Sequence, residues 1–267
     1  MDKMISKQDI RHQAIVQLIE DQGGCSYQEL EKHLNVSNMT IRRDVDQLAA
    51  NKSVIKTLGG IQKANAPENF YESSLISRLS VNKKEKRAIT QEAMKLIEPG
   101  QSIYLDGSST SIELAKRLAL QACDVTIVTN SMLVYTELTK GKNNIINCIG
   151  GQHDPVSFCL TGPRTEDEAR RYHIDMAFLS TKGFPPDHGM FESSAPTYRI
   201  KQIMAQQSSK VVLMVDHTKF NQRALFNVLS VEQIDTVITD EGIFESDLKL
   251  LKNNVKNVHV VSLTPTP

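Results

Sequence analysis

The spacing of apolar residues changes partway along the chain, and that change constrains the fold more than any single motif. Up to about residue 63 apolar side chains recur at helical intervals, whereas from about residue 84 strand-sized apolar runs alternate with amphipathic helical stretches. The first pattern belongs to a small helical module, and the second to an open α/β domain. A chain of 267 residues has room for about two such domains. Between them, Ala64 to Asn82 holds Pro67 and several asparagines and serines with no sustained period. That composition predicts a linker over 64–82, separating units at 1–63 and 83–267.

Three helices and a hairpin can be read in order from the first unit. Ile10, Ala14 and Leu18, with Ile15 and Ile19, keep helical spacing until Gly23-Gly24 stops the run. Ser26-Tyr27-Gln28-Glu29 has the form of a capping box that opens a second helix with Leu30 and Leu34 inward. After the turn at Asn35-Val36, Ser37 is placed to cap a third helix. Its Ile41, Val45 and Leu48 share one face, so Arg42 and Arg43 point away from it. Val54 to Leu58, Gly59-Gly60, and Ile61 to Lys63 follow as a hairpin. This order is that of a winged helix-turn-helix, whose third helix enters the DNA major groove.

Arginine suits that helix because its guanidinium grips phosphate and pairs with guanine through two hydrogen bonds. Over the whole chain 31 basic residues balance 31 acidic ones, so net charge names no partner. Between Ser37 and Lys63, however, Arg42, Arg43, Lys52, Lys56 and Lys63 meet only Asp44 and Asp46, a local +3. An isolated Arg-Arg pair is equally at home on a solvated helix face, and the surrounding pattern has to decide between the two.

In the second unit, Ser102 to Asp106 reads as a strand, Gly107 to Thr110 as a loop of small residues, and Ser111 to Leu120 as a helix. Such a turn converges backbone N–H groups and the helix dipole on one point, where the hydroxyls of Ser108, Ser109 and Thr110 add donors for an anion. The same residues also serve as a plain N-cap. The strand Val125 to Thr129 ends at Asn130-Ser131, and the strand Lys210 to Val215 leads to Lys219. Ligands of open α/β sheets collect at the carboxyl ends of strands, which makes Asn130 and Lys219 candidates. Helix capping is the competing role for Asn130. Lys83, Lys84, Lys86 and Arg87 read as a solvated helix face.

The run Val36 to Val45, with Thr40-Ile41-Arg42-Arg43-Asp44 at its centre, Leu48 after it and Leu58-Gly59-Gly60 closing the hairpin, resembles the N-terminal module of the DeoR family of bacterial transcriptional regulators. The resemblance implies that the third helix is the recognition helix, with Ser37, Thr40, Arg42 and Arg43 facing DNA. Lys56 keeps positive charge in the wing, where the family commonly has Arg-x-His and this chain has Lys56-Thr57-Leu58. The likeness continues through Arg78, Asn82, Glu85-Lys86 and Ile89, then Ile103 to Thr110, Val125 to Ser131, Gly150-Gly151, Asp175 to Phe178, Gly183, Gly189 and Val215 to Phe220. It implies a second domain similar in fold to ribose-5-phosphate isomerase, and a phosphorylated sugar as effector. The effector residues so implied are Arg78, Asp106, Ser108, Ser109, Thr110, Asn130 and Lys219. Two departures bear on the ligand: Ser108 stands where the family usually has Gly, and Ala195-Pro196-Thr197 where it often has Glu.

The expected function is therefore that of a DNA-binding repressor of a carbohydrate-utilisation operon, homo-oligomeric on double-stranded operator DNA and modulated by a phosphorylated sugar. The alternative is an active sugar-phosphate isomerase with a DNA-binding appendage. Isomerisation needs a general base, normally a carboxylate. Where the resembling isomerases carry theirs, this chain has Leu179 to Gly183 and Tyr198 to Lys201, with Glu192 and Asp187 nearby. The non-enzyme reading follows. The seven histidines are scattered without metal-binding spacing, and no cofactor is called for. No apolar run approaches the roughly 20 residues of a membrane span. Met1 to Ser6 lacks a secretory pattern, and Cys25, Cys123, Cys148 and Cys159 form no Cys-x-x-Cys pair, which points to reduced thiols and the cytoplasm.

Overall fold

In the computed structural model the described residues are 7–22, 24–51, 53–56, 60–63, 75–121, 123–142 and 144–263. The chain divides into two compact units, Met1–Arg78 and Leu79–Pro267. Among the described residues no helix is long and apolar enough to cross a membrane.

The first unit runs α1 (Lys7–Gln22), β1 (Gly24–Ser26), α2 (Tyr27–Leu34), α3 (Asn38–Ala50), β2 (Val54–Lys56) and β3 (Gly60–Lys63). The capping box forms as its residues require: Ser26 Oγ accepts from the Glu29 N–H at 3.2 Å, and the Glu29 carboxylate accepts from the Ser26 N–H at 2.9 Å. Asn35, in the left-handed region at φ 50°, closes α2. Ile15, Ile19, Leu30, Ile41, Val45, Val54 and Ile61 make the core, while Ile10 projects into solvent.

The hairpin is one part of a three-stranded antiparallel sheet in the order β1-β3-β2, with Cys25 opposite Ile61. Strand β1 has only three residues, too few to show an alternating pattern. Gly60 is required where the strands meet, because a Cβ there would lie 2.1 Å from the Cys25 carbonyl oxygen. Backbone cannot yield as a flexible side chain does, so Gly60→Ala is expected to destabilise this unit by about 2 kcal/mol, the usual cost of overpacking. Thermal denaturation checks this, and an unchanged midpoint would contradict it. Thr57, Leu58 and Gly59 of the expected hairpin lie outside the described residues, as do residues 64–74 of the expected linker. Within the span expected as linker, Leu75–Ser80 forms α4 with Leu75 buried.

The second unit continues with α5 (Lys83–Met94), β4 (Ser102–Leu105), α6 (Ser109–Leu120), β5 (Thr126–Thr129), α7 (Met132–Leu138) and β6 (Ile145–Cys148). Next come β7 (Gln152–Asp154), β8 (Cys159–Thr161), α8 (Pro163–Ala169), β9 (Ile174–Leu179), β10 (Met190–Glu192) and α9 (Ala195–Gln206). It ends with β11 (Ser208–Met214), β12 (Phe226–Leu229), β13 (Thr236–Asp240), α10 (Glu245–Asn254) and β14 (Asn257–Val261). Seven strands form one parallel sheet in the order β14-β13-β11-β9-β4-β5-β6, and β7-β8 and β10-β12 are small antiparallel pairs. Parallel strands are covered on both faces, so their runs are apolar rather than alternating. Tyr104, Ala177, Leu179, Val211, Leu213 and Val237 pack on one side with Ile200 and Met204 of α9. The intervening Ile103, Leu105, Phe178 and Val212 are equally buried.

Candidate functional site

On α3 the core residues Ile41, Val45 and Leu48 turn Arg42 and Arg43 outward, and both arginines are exposed. They are held differently. The Arg42 Nε donates to Asn38 Oδ1 at 2.6 Å, and its guanidinium lies 4.8 Å from the centre of the Tyr27 ring on α2. Arg43 has no ion pair among the described residues, and it shares its side of the helix with Met39, which is 81% exposed. Sequence reasoning passed over Met39, although an apolar side chain so exposed beside two arginines is suited to a thymine methyl. Ser37 occupies the N-cap position but makes no capping bond to the helix; its hydroxyl lies 3.0 Å from that of Thr40. Lys56 pairs with Asp46 in an exposed contact that screening keeps weak.

Asp44 does not share that surface. It is 1% exposed and accepts from Arg11 Nε and Nη2 at 2.7 and 3.1 Å, fastening α3 to α1. Burial alone would raise its pKa, but Arg11, with help from His12, outweighs burial and holds the carboxyl below its ordinary range.

In the second unit β4 is where the chain changes direction across the sheet. Strands β5 and β6 are added on one side of it, and β9, β11, β13 and β14 on the other, so the topological switch lies between β4 and β9. In open parallel sheets the carboxyl ends of the strands at such a switch are where ligands collect. Asp106, Asn130, Ser180 and Asp216 follow directly or within two residues the ends of β4, β5, β9 and β11, four neighbouring strands, so the topology gathers them along one edge.

Asp106 spans the switch and is fully buried. One of its oxygens accepts from the Ser108 N–H at 3.0 Å and the Ser111 hydroxyl at 2.6 Å. The other accepts from the Ser180 N–H at 2.9 Å and lies 3.1 Å from the Lys201 ammonium. Lys201, from the second turn of α9, also pairs with Glu192 and donates to the Ser180 carbonyl at 2.7 Å. Burial disfavours both charges, yet the attraction of Lys201, reinforced by hydrogen bonds, keeps Asp106 below the normal carboxyl range. Burial likewise lowers Lys201, but Asp106 and Glu192 together raise it well above the normal lysine value. Asp106 is thus occupied in building the loop.

The cap of α6 is Ser108, whose hydroxyl accepts from the Ser111 N–H at 3.1 Å, so the helix starts at Ser109, two residues earlier than the sequence pattern placed it. Ser109 and Thr110 therefore occupy its first turn. They are only 7% and 3% exposed, and their hydroxyls have no hydrogen bond among the described residues. Asn130 accepts from the Tyr104 hydroxyl at 2.8 Å and donates to the Leu160 carbonyl at 2.9 Å, while Ser131 caps α7. Lys219 is half-buried in a short turn, His217–Lys219, whose end is fixed by the Phe184 N–H donating to its carbonyl at 2.8 Å. Its ammonium has no partner among the described residues. Arg78, half-buried in α4, is the last residue of the first unit.

A further expectation needs correction. Lys86 is buried, donating to the Val81 carbonyl at 2.5 Å, so it is no part of a solvated face. Glu192 is enclosed with Lys201, and Asp187 is an exposed partner of His188. Among the free cysteines Cys25 and Cys159 are buried, but Cys148 is exposed. Among the described residues no cluster of three or more His, Cys, Asp or Glu is arranged to hold a metal.

A winged helix-turn-helix joined to a separate α/β unit defines a two-part, DNA-binding transcriptional regulator. Residues 11–66 match the DeoR-like helix-turn-helix domain, and residues 81–241 match the DeoR C terminal sensor domain. The chain is 31% identical over 257 residues to the HTH-type transcriptional regulator YulB of Bacillus subtilis, covering 95% of this chain and 97% of that one. It is 30% identical to the glycerol-3-phosphate regulon repressor of Escherichia coli K12, covering 88% and 91% respectively. A solved ribose 5-phosphate isomerase A from Methanocaldococcus jannaschii is similar over 52% of this chain and 55% of that one, at 17% identity and a TM-score of 0.40. This chain belongs to the DeoR family of transcriptional regulators.

Proposed function

We propose that the protein represses a carbohydrate-utilisation operon, binding its operator as a homo-oligomer in the cytoplasm and releasing it when a phosphorylated sugar occupies the switch point. The observation that carries this reading is the pair Ser109 and Thr110. Both residues are nearly buried, their hydroxyls have no hydrogen-bond partner among the described residues, and they stand in the first turn of a twelve-residue helix whose N–H groups and dipole favour an anion. Asn130 and Lys219, whose ammonium has no partner among the described residues, supply further contacts for phosphate and sugar oxygens. The named role of the Escherichia coli relative in a glycerol-3-phosphate regulon supports a phosphorylated, hydroxyl-bearing effector. Asp106 and Glu192 both face Lys201, and Asp216 is engaged by Asn82 and Thr218, so the carboxylates at this edge are occupied in structural contacts, which favours a sensor over an enzyme. Oligomerisation follows from the small DNA surface that one winged helix covers, since paired half-sites multiply affinity.

Thermal shift with a panel of pentose and hexose phosphates tests the site. A phosphosugar at about 100 times its Kd stabilises the protein by about 2.7 kcal/mol. That shift is expected in the wild type and is expected to disappear in Ser109→Ala, Thr110→Val and Lys219→Ala. Indifference of the wild type to every phosphosugar would overturn the reading.

A further inference from the structure

We infer that Asn82 passes the occupancy of the ligand site to the connector through which the chain enters the second unit. The inference rests on the ligand site proposed above and adds the residue that reads it. Asn82 stands immediately before α5, at φ 49° and ψ 44°, a left-handed conformation that asparagine tolerates better than most residues. That backbone aims its amide at the loop after β11. Asn82 Nδ2 donates to Asp216 Oδ1 at 3.0 Å and lies 3.3 Å from Thr218 Oγ1. Asp216 in turn caps the turn that presents Lys219, accepting from the Thr218 N–H at 3.1 Å. A single side-chain amide therefore joins the start of α5 to the loop bearing Lys219.

Helix α5 is tied to the other half of the site as well. Arg117, near the end of α6, donates from Nε to Thr90 Oγ1 at 3.0 Å and from Nη2 to the Arg87 carbonyl at 2.8 Å. The opposite end of α6 holds Ser109 and Thr110. On the connector side, the buried Lys86 donates to the Val81 carbonyl, so residue 81 is fastened to α5. An anion that draws Lys219 and its turn toward the first turn of α6 moves Asp216 relative to α5. Asn82 then follows it or loses its hydrogen bonds, and either outcome changes the backbone at 81–83. Asn82 is a positioning residue, since it acts through Asp216 and needs no contact with the ligand. Coupling between two sites requires such an element with unequal energies in the two states.

Hydrogen exchange followed by mass spectrometry on the full chain, with and without saturating inorganic phosphate, tests this. In the wild type, phosphate is expected to slow exchange at 107–112 and 216–220 and to change it at 81–87. Asn82→Gly keeps the left-handed backbone and removes the amide. It is expected to retain the protection at both loops while the response at 81–87 falls at least threefold. Asn82→Asp, which also accepts this backbone, places a carboxylate against Asp216 and is expected to behave alike without added flexibility. An undiminished response at 81–87 in both variants would overturn the inference, as would wild-type loop protection with no change at 81–87. Absence of protection at 107–112 and 216–220 in the wild type would remove the ligand site itself, and the inference with it.

Discussion

Arg43→Ala is expected to weaken binding to a palindromic operator by about 1–3 kcal/mol, a 5- to 150-fold loss, and to make the salt dependence shallower by about one counterion. Ile41, Val45 and Leu48 fill the core of the first unit, and this fixes which side of α3 meets solvent. Arg43 is exposed there without a side-chain partner among the described residues, so its removal is expected to act in the DNA complex. Arg42→Ala is expected to lose affinity over the same range, but its guanidinium also rests on Tyr27 and Asn38, so this variant additionally costs the first unit some stability. Fluorescence anisotropy across a range of salt concentrations separates the contributions. Unchanged affinity and unchanged salt slope in both variants would remove α3 as the recognition helix.

Lys201→Met is expected to destabilise the second unit by about 3–5 kcal/mol, the largest effect on stability of any single change considered. The substitution nearly preserves shape and removes only the ammonium. Asp106 and Glu192, at 0% and 4% exposure, would then be two buried carboxylates without a cation between them. The sign with pH follows from linkage. Asp106 has a lowered pKa, so its contribution is present above the ordinary carboxyl range and is lost as pH falls through the lowered value. Lys201 has a raised pKa, so its contribution is intact below the ordinary lysine range and declines only as pH rises toward its folded value. The wild type therefore keeps the full effect at neutral pH. Without Lys201 the Asp106 carboxyl loses the attraction that lowers its pKa and is easier to protonate, so the stability deficit of Lys201→Met is expected to narrow as pH falls toward 4. Urea denaturation at pH 7 and pH 4 measures this, and a variant within about 1 kcal/mol of wild type at pH 7 would contradict it.

The parts of the molecule legible in the sequence are those that depend on near neighbours. The capping box at Ser26 and Glu29 closes over three residues, and the outward turn of Arg42 and Arg43 follows from helical spacing in one short run. Even the small-residue loop before α6 could be read, although its hydroxyls divide their work in a way spacing does not reveal. Ser108 is consumed as the cap, while Ser109 and Thr110 are left open. Features that require distant partners were not legible. Asp44 counts as an acid diluting the basic patch until α1 brings Arg11 over it from 33 residues away. Lys201 reads as one more helix lysine until the parallel sheet sets Asp106 and Glu192 on either side of it. Lys86 has helical neighbours that look solvated, and only the folding back of Val81 shows why it is buried. The bond from Asn82 to Asp216 spans 134 residues, beyond the reach of any periodicity.

A phosphorylated sugar at the carboxyl edge of the sheet is proposed to change how the winged helix holds DNA. The most direct measurement is anisotropy of a palindromic fragment from upstream of the protein's own gene, titrated with protein in the presence and absence of the phosphosugar that gives the largest thermal shift. The expected result is a 5- to 150-fold weaker DNA affinity with the phosphosugar present, the range that a coupling of about 1–3 kcal/mol produces. Lys219→Ala is expected to bind the fragment as tightly as wild type and to ignore the phosphosugar. DNA affinity that stays the same at saturating concentrations of every phosphosugar tested would contradict the account.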